Sequence, residues 1–366
     1  MSKKILSVIL SVVLLAVLPL SLASCGEANP NQVTLNVFNW GEYISNGEDG
    51  SLDVIAEFEK QTGIKVNYTT YETNEALYNK MKTGGVSYDV IIPSDYMIGK
   101  MIQEDMLEKL DFSNIPNYEL IDDRFKSSEV APYDPEGAYS VPYTWGRVGL
   151  IYNTKYVTEP VNSWNILWDE TYKNQILMFD NSRDAFGIAQ FLLGQSVNTE
   201  DTAELEQAAA LLQQQSVVSP VYAMDQILEK MPSEDAYIAP YYVGDCLTMC
   251  DENEDLTFTV PQEGTNLFLD AMCIPKGTKH KKEAEQFINF MCSTEVAYAN
   301  IEYIAYSSPQ VEAAAQHKEY LVQEYGDEIA QAIYPEDLSN TQMFLTLSEE
   351  ANQTMTDLWV KVKTAN

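Results

Sequence analysis

The chain has 366 residues, with 55 acidic against 22 basic side chains and a formal net charge of −33. That balance excludes nucleic-acid binding, which needs a basic footprint. Two histidines, His280 and His317, are too few for a multi-histidine metal site and argue against a histidine-based triad. Hydrophobic residues make up 45%, enough for real cores, and the length suits one large domain or two ordinary ones. A negative field concentrates cations, but it also keeps a secreted protein in solution, so charge alone does not choose between the two.

The first 25 residues read as a lipoprotein leader. Lys3 and Lys4 form a positive start, Ile5 to Leu20 an aliphatic run, and Leu22-Ala-Ser-Cys25 a small-residue cleavage site. Residues 1–24 are then the signal peptide, Cys25 the lipid-modified first residue, and 25–32 a polar tether. The competing reading is an uncleaved membrane anchor, for which the run is nearly long enough. Cleavage removes two lysines and leaves 20 basic against 55 acidic residues. The remainder is placed outside the cytoplasm, anchored by lipid to the cell membrane, or periplasmic in a two-membrane organism.

From Val33 the pattern alternates between strands and helices, which points to an α/β fold. Val33 to Trp40 predicts a strand, 53–61 a helix stopped by Gly63, Ile64 to Tyr71 a strand, and 74–82 a helix. Tyr88 to Ile92 is continuously apolar, as in the buried centre of a parallel sheet. After Val141-Pro-Tyr143 the pattern restarts with strands at 148–152 and 176–179 and helices at 185–193 and 202–214. Ala236 to Cys250 and 256–260 read as strands around the acidic turn 251–255, and 267–274 as a return strand. Lys281 to Met291 is an amphipathic helix with Ala284, Phe287, Ile288 and Met291 inward. Two α/β units joined by short extended crossings imply two lobes with a ligand cleft between them, outside the strand ends.

Besides Cys25 there are Cys246, Cys250, Cys273 and Cys292. Four strand residues span roughly 13 Å, whereas a disulfide needs Cα atoms within about 7 Å. Cys246 and Cys250 are therefore expected not to pair, and all four to be buried free thiols. His280 sits in a lysine-rich solvated loop and His317 in a polar helical stretch. Trp145, Trp164 and Trp168 are expected in core or hinge packing, and Trp359 docks the last helix.

Several polar-aromatic segments fall where strands end. They include Phe38-Asn-Trp-Gly-Glu-Tyr43, Tyr68 to Glu75, Tyr88 to Tyr96, Val141-Pro-Tyr-Thr-Trp-Gly146, Ser163 to Trp168, Leu269-Asp-Ala-Met-Cys-Ile-Pro275 and Tyr306-Ser-Ser-Pro309. Across almost the whole mature chain, and in order, they resemble the spermidine/putrescine-binding proteins of bacterial polyamine ABC importers. The resemblance implies a two-lobed type II periplasmic-binding-protein fold, a polyamine ligand and permease partners, with no cofactor, no catalysis and a monomeric state. It also implies lobe boundaries: 33–143 with 270–315, and 144–269 with 316–366.

Carried over position by position, Trp40, Tyr43, Ser94 and Tyr96 match the first lobe's ligand contacts. Asp184 matches an acid of the second lobe, Asp270 the acid that grips an amine, and Tyr306 and Gln342 further polar contacts. Asn181 stands where a spermidine binder can have an aspartate, Tyr242 and Phe268 stand where tryptophans are found, and Gly41 lacks a hydroxyl. These departures leave the particular polyamine open. The chemistry is coherent without the resemblance: methylenes favour ring faces, and ammonium groups need oxygen acceptors. Asp270 is notable because apolar residues flank it and burial without a cation is costly, whereas Asp184 could simply cap the helix at Ala185. The adjacent Tyr241 and Tyr242 leave a ferric-ion binder open, and an amino acid or other organic cation is open on the same fold. Paired carboxylates leave a secreted glycosidase as the enzymatic alternative.

Overall fold

In the computed structural model, which describes residues 32–84, 87–128 and 130–365, local signals give the first half of the fold. Strand β1 (Thr34–Trp40) leads through helix α1 (Val54–Thr62) to β2 (Lys65–Tyr71), and through α2 (Asn74–Thr83) to β3 (Val90–Ile91). Asp53 caps α1 by accepting from the Ala56 amide, and Gly63 ends it at φ +72°, a left-handed conformation that favours glycine. Both β2 and β3 run parallel to β1. Helix α3 (Asp95–Gln103) follows directly on β3.

The centre of the molecule is one long strand, β4 (Ser140–Asn153). The sequence pattern restarts at Val148, but the strand does not: it runs unbroken through Gly146 and the buried Arg147. Further on come β5 (Leu177–Phe179), α4 (Ser182–Leu193), α5 (Thr202–Gln214), β6 (Val221–Ala223) and the short α6 (Ile227–Lys230). The next stretch corrects the sequence reading. Only β7 (Ile238–Tyr242) is strand, and Val243–Glu252 is a helix, α7. Val243, Cys246, Leu247 and Cys250 follow helical spacing, with the first three buried. The strand-distance argument for Cys246 and Cys250 therefore fails, since they stand one helical turn apart. All four of these cysteines are nevertheless free, three of them buried and Cys250 half-buried.

Strands β8 (Leu256–Thr259) and β9 (Thr265–Cys273) complete the centre. Helices α8 (Lys281–Met291), α9 (Thr294–Ile304), α10 (Val311–Tyr325) and α11 (Asp327–Ile333), strand β10 (Thr341–Gln342) and helix α12 (Glu349–Ala365) close the chain. Ala284, Phe287, Ile288 and Met291 of α8 are buried as their spacing requires. The main sheet runs β2-β1-β3-β9-β4-β7, with β8 also on β4 and β10 on β9, while β5 and β6 form a separate parallel pair. The first half of β4 pairs antiparallel with β9, and the second half with β7 and β8. β4 and β9 thus join the two halves of the sheet, and the described residues from Thr34 on hold together as one unit.

Trp145 and Trp164 are fully buried, Trp168 is half-buried with its Nε1 donating to the Leu211 carbonyl, and Trp359 packs α12 against Phe186 and Tyr222. His317 is not on a polar surface. It is 2% exposed on α10, shares a 2.9 Å hydrogen bond with the Tyr334 hydroxyl, and burial lowers its pKa to about 4. Cys25, the leader and all but the last residue of the tether lie outside the described residues.

Candidate ligand-binding site

Tyr143 is the extra residue of a bulge in β4, where the ladder to β9 shifts between Pro142 and Thr144. The shift sets Thr144 opposite Asp270 and Gly146 opposite Phe268. Tyr143 donates to the Tyr43 carbonyl at 2.7 Å, which fixes the loop after β1 over this ladder. The Tyr43 phenol then donates to Asp270 Oδ2 at 2.5 Å and lies 2.7 Å from the Thr144 hydroxyl. On the other side of Asp270, the start of α3 is pinned to β9. Ser94 forms a bridge with Asp270, the Ala271 amide donates to the Pro93 carbonyl, and the Leu269 amide donates to Asp95.

Asp270 is one of three carboxylates in the same situation. Tyr242, the last residue of β7, donates to Asp184 at 3.3 Å, and Tyr306 donates to Asp245 in the first turn of α7 at 2.8 Å. Burial pushes the carboxyls of Asp184, Asp245 and Asp270 each up to about 6, opposed in part by hydroxyl donors. None of the three takes part in an ion pair among the described residues. Arg183, next to Asp184, spends its guanidinium on the Val197 and Leu345 carbonyls and on Asn198. Asp270 Oδ1 is buried without a hydrogen-bond partner.

Rings join the three carboxylates. Tyr43 packs edge-on against Tyr306 at 5.8 Å, Tyr306 against Phe268 at 5.5 Å, and Phe268 against Tyr242 at 5.6 Å. Two glycines make room for the row. A Cβ on Gly146 would come within 2.5 Å of the Phe268 ring, and one on Gly244 within 2.1 Å of Tyr306. The arrangement offers apolar edges at about 5.5 Å spacing with an acceptor beside each phenol.

The structure thus brings together Tyr43, Ser94, Asp184, Tyr242, Phe268, Asp270 and Tyr306 from the expected set. Four others are placed differently. Trp40, at the end of β1, packs at a tilt against Tyr71, with ring centroids 4.6 Å apart, instead of joining the row, and its Nε1 is buried without a partner. The Tyr96 hydroxyl turns toward α2, bonding Asn74 and Glu75 at 3.1 Å. Asn181 is the N-cap of α4 and accepts from the Arg183 and Asp184 amides, so the capping expected of Asp184 falls to Asn181. Gln342 accepts from the Val197 amide at 3.1 Å.

Sequence reasoning missed Asp245, because 236–250 read as one strand, and it missed Gly244 and Thr144. The helical spacing from Val243, with an acid in the first turn, was the signal that could have found Asp245.

Residues 53–327 match the family described as bacterial extracellular solute-binding protein. The chain belongs to this family. Among its relatives, the solute-binding protein of Haemophilus influenzae named "spermidine/putrescine-binding periplasmic protein 1" is 34% identical over 307 residues, 82% of this chain and 81% of the relative. A solved spermidine/putrescine ABC transporter substrate-binding protein from Streptococcus pneumoniae is 35% identical. It superposes with a TM-score of 0.80 over 91% of this chain and 99% of its own. A solved lipoprotein of Treponema pallidum is 27% identical, with a TM-score of 0.78 over 90% of this chain and 99% of its own. This solute-binding protein accordingly has the two-lobed type II periplasmic-binding-protein fold, as its sequence led one to expect.

Proposed function

We propose that this solute-binding protein captures a polyamine outside the cytoplasm and delivers it to the permease of an ATP-driven importer, without converting it. The reading rests on one observation: three carboxylates, each hydrogen-bonded to a phenol and outside any ion pair among the described residues, stand along a continuous row of rings. Buried carboxylates without a cationic partner are costly, and a ligand carrying several ammonium groups supplies the missing charge. The methylenes between those groups match the ring edges, each cation–π contact adding about 0.5–2 kcal/mol. The names of the relatives agree with this chemistry.

In this reading, 33–143 with 270–315 and 144–269 with 316–366 are the two lobes, and Asp270 sits near their crossing. Tyr43, Ser94 and Asp270 hold one end of the ligand, and Asp184 and Asp245 the other. Trp40 and Tyr96 act from outside the row, Trp40 through its packing on Tyr71 and Tyr96 through its bonds to α2. Asn181 and Gln342 act by fixing the backbone around Asp184. A lipid on Cys25 tethers the protein to the membrane beside its permease.

Calorimetric titration of the leaderless chain with putrescine, spermidine and spermine tests the proposal. Binding at micromolar or tighter levels is expected, a net of about −8 kcal/mol or better. Preference for an amino acid or a ferric salt over all three polyamines, or recovery of a bound polyamine in altered form, overturns it.

A further inference from the structure

Residues 343–348 run between β10 and α12 without regular structure, and several bonds fasten them to one side. Asn198 Nδ2 donates to the Met343 carbonyl, and Asn198 Oδ1 accepts from the Leu345 amide, both at 2.8 Å. Arg183, at the start of α4, donates to the Leu345 carbonyl at 3.1 Å, and the Ser348 amide donates to Glu200 at 2.7 Å. Phe344 is buried against Gly187 of α4, where a Cβ would come within 3.1 Å of its ring. The Arg183 guanidinium lies 4.6 Å from the centre of the same ring. All of these partners fall within 144–269, so the segment is a strap carried by that half.

One bond of the strap points the other way. Thr346 Oγ1 donates to the Tyr96 carbonyl at 2.8 Å, in the first turn of α3. A carbonyl has two lone pairs, so this oxygen takes the Thr346 bond beside the one α3 itself makes. Arg183 reaches the same turn by charge: burial raises the Asp95 carboxyl well above its ordinary range, and Arg183 lowers it in part. In the lobe division proposed above, α3 belongs to one lobe and the strap to the other. Donor and acceptor are thus fixed to different lobes, and their hydrogen bond does not survive a separation of the two. Its acceptor stands two residues from Ser94, which bridges Asp270. None of residues 343–348 is charged, so the strap offers an ammonium group no counter-ion. Its chemistry suits holding the lobes, not the ligand.

We propose that Thr346 is a latch, whose bond to Tyr96 holds the lobes closed and slows ligand release without touching the ligand. A bond made only in the closed arrangement shifts the balance toward it. Thr346 is a positioning residue, on a strap that Asn198 aligns. The inference rests on the lobe boundaries of the proposed function and adds to them a residue that sets how long the ligand stays.

The test is a chase on the leaderless chain loaded with radiolabelled spermidine or putrescine, whichever binds more tightly, with association followed separately on mixing. Thr346→Val keeps the shape and loses the donor. It is expected to release ligand about 3- to 10-fold faster, the worth of one hydrogen bond, with association within about twofold of the parent. Thr346→Ser keeps the hydroxyl and is expected to release within about twofold of the parent, which a role in packing alone does not give. Thr346→Ala is expected to release as fast as Thr346→Val, so the result does not depend on how valine is accommodated.

Release from Thr346→Val and Thr346→Ala at the parent rate overturns the latch. So does an effect confined to association, or equally fast release from Thr346→Ser, which assigns the position to packing. If the parent binds an amino acid in place of any polyamine, the chase is run with that labelled amino acid. The proposed function then fails, and the release ratios still decide the latch.

Discussion

Asp270 concentrates the chemistry of the site in one residue. Its Oδ2 accepts a hydrogen bond from the Tyr43 phenol, its Oδ1 has no hydrogen-bond partner, and burial holds its pKa near 6. Asp270→Asn keeps the shape and removes the charge. Breaking one side of a buried pair costs about 3–5 kcal/mol, and solvent at the site reduces that to roughly 2–4 kcal/mol, about 30- to 1000-fold in affinity. Titration with the best polyamine checks this, and a loss below threefold in a variant that melts like the parent removes Asp270 from the role of anchor. The same carboxyls set a pH dependence. With pKa values of about 6, Asp184, Asp245 and Asp270 take up protons as the pH falls from 7 to 5. Polyamine affinity is expected to fall by about tenfold at pH 5 for each carboxylate the ligand requires ionised. The unliganded protein behaves oppositely. A raised folded-state pKa contributes stability that is full below the ordinary carboxylate value and lost as pH rises through about 6. Melting without ligand is thus expected to gain from these groups on going from pH 7 to 5, and the ligand-induced rise in Tm to shrink. A ligand-induced rise that grows toward pH 5 contradicts the assignment.

Among the elements, the turn from β7 into α7 matters most to the site. It carries Tyr242, Gly244 and Asp245 within four residues, and Gly244 lies against both the Tyr306 ring and the Ala305 carbonyl. A methyl group there has 2.1 Å to the ring and 2.5 Å to the carbonyl oxygen, so one of them must move. Gly244→Ala is expected to destabilise the fold by about 1–3 kcal/mol, the usual cost of overpacking. It is also expected to weaken polyamine binding, because Tyr306 is both Asp245's donor and the middle of the ring row. Thermal melting and titration of the one variant measure both effects. A variant with unchanged binding shows that the position of Tyr306 is immaterial. This element was also where sequence periodicity misled. Tyr241 to Cys250 is apolar enough for a buried strand, and only the 243, 246, 247, 250 spacing betrays the helix. By contrast α1, α5 and α8 were legible nearly to the residue, because caps and amphipathic spacing are local properties.

For the whole molecule, a two-lobed fold allows a ligand to favour one relative arrangement of the lobes by touching both. Only differential affinity for two states shifts their balance. Small-angle scattering of the leaderless chain is expected to show a smaller radius of gyration with saturating polyamine, and an unchanged radius speaks against closure. Anchoring is a separate property of the first residues. Cys25→Ser in the full chain is expected to abolish lipid attachment, read by labelled fatty-acid incorporation and membrane fractionation. Retention of a matured, unlabelled protein at the membrane contradicts it.

By itself the sequence determined the α/β class, the bounds of helices such as α1, α5 and α8, and the family. Each depends on neighbours within a few residues or on motifs that keep their order. It also singled out Asp270, since a lone acid in an apolar strand is visible from its flanks. What it could not decide was which side chains converge. Asn181 and Asp184 looked interchangeable as cap and ligand until the geometry of α4 committed Asn181 to the backbone amides. Asp245 became a member of the site only through Tyr306, 61 residues away in the chain. Gly146 and Gly244 owe their meaning to rings brought over them by β9 and by the segment after α9. Long-range pairing fixes those partners, and no pattern along the chain encodes a contact between residues whose neighbours in space are distant in sequence.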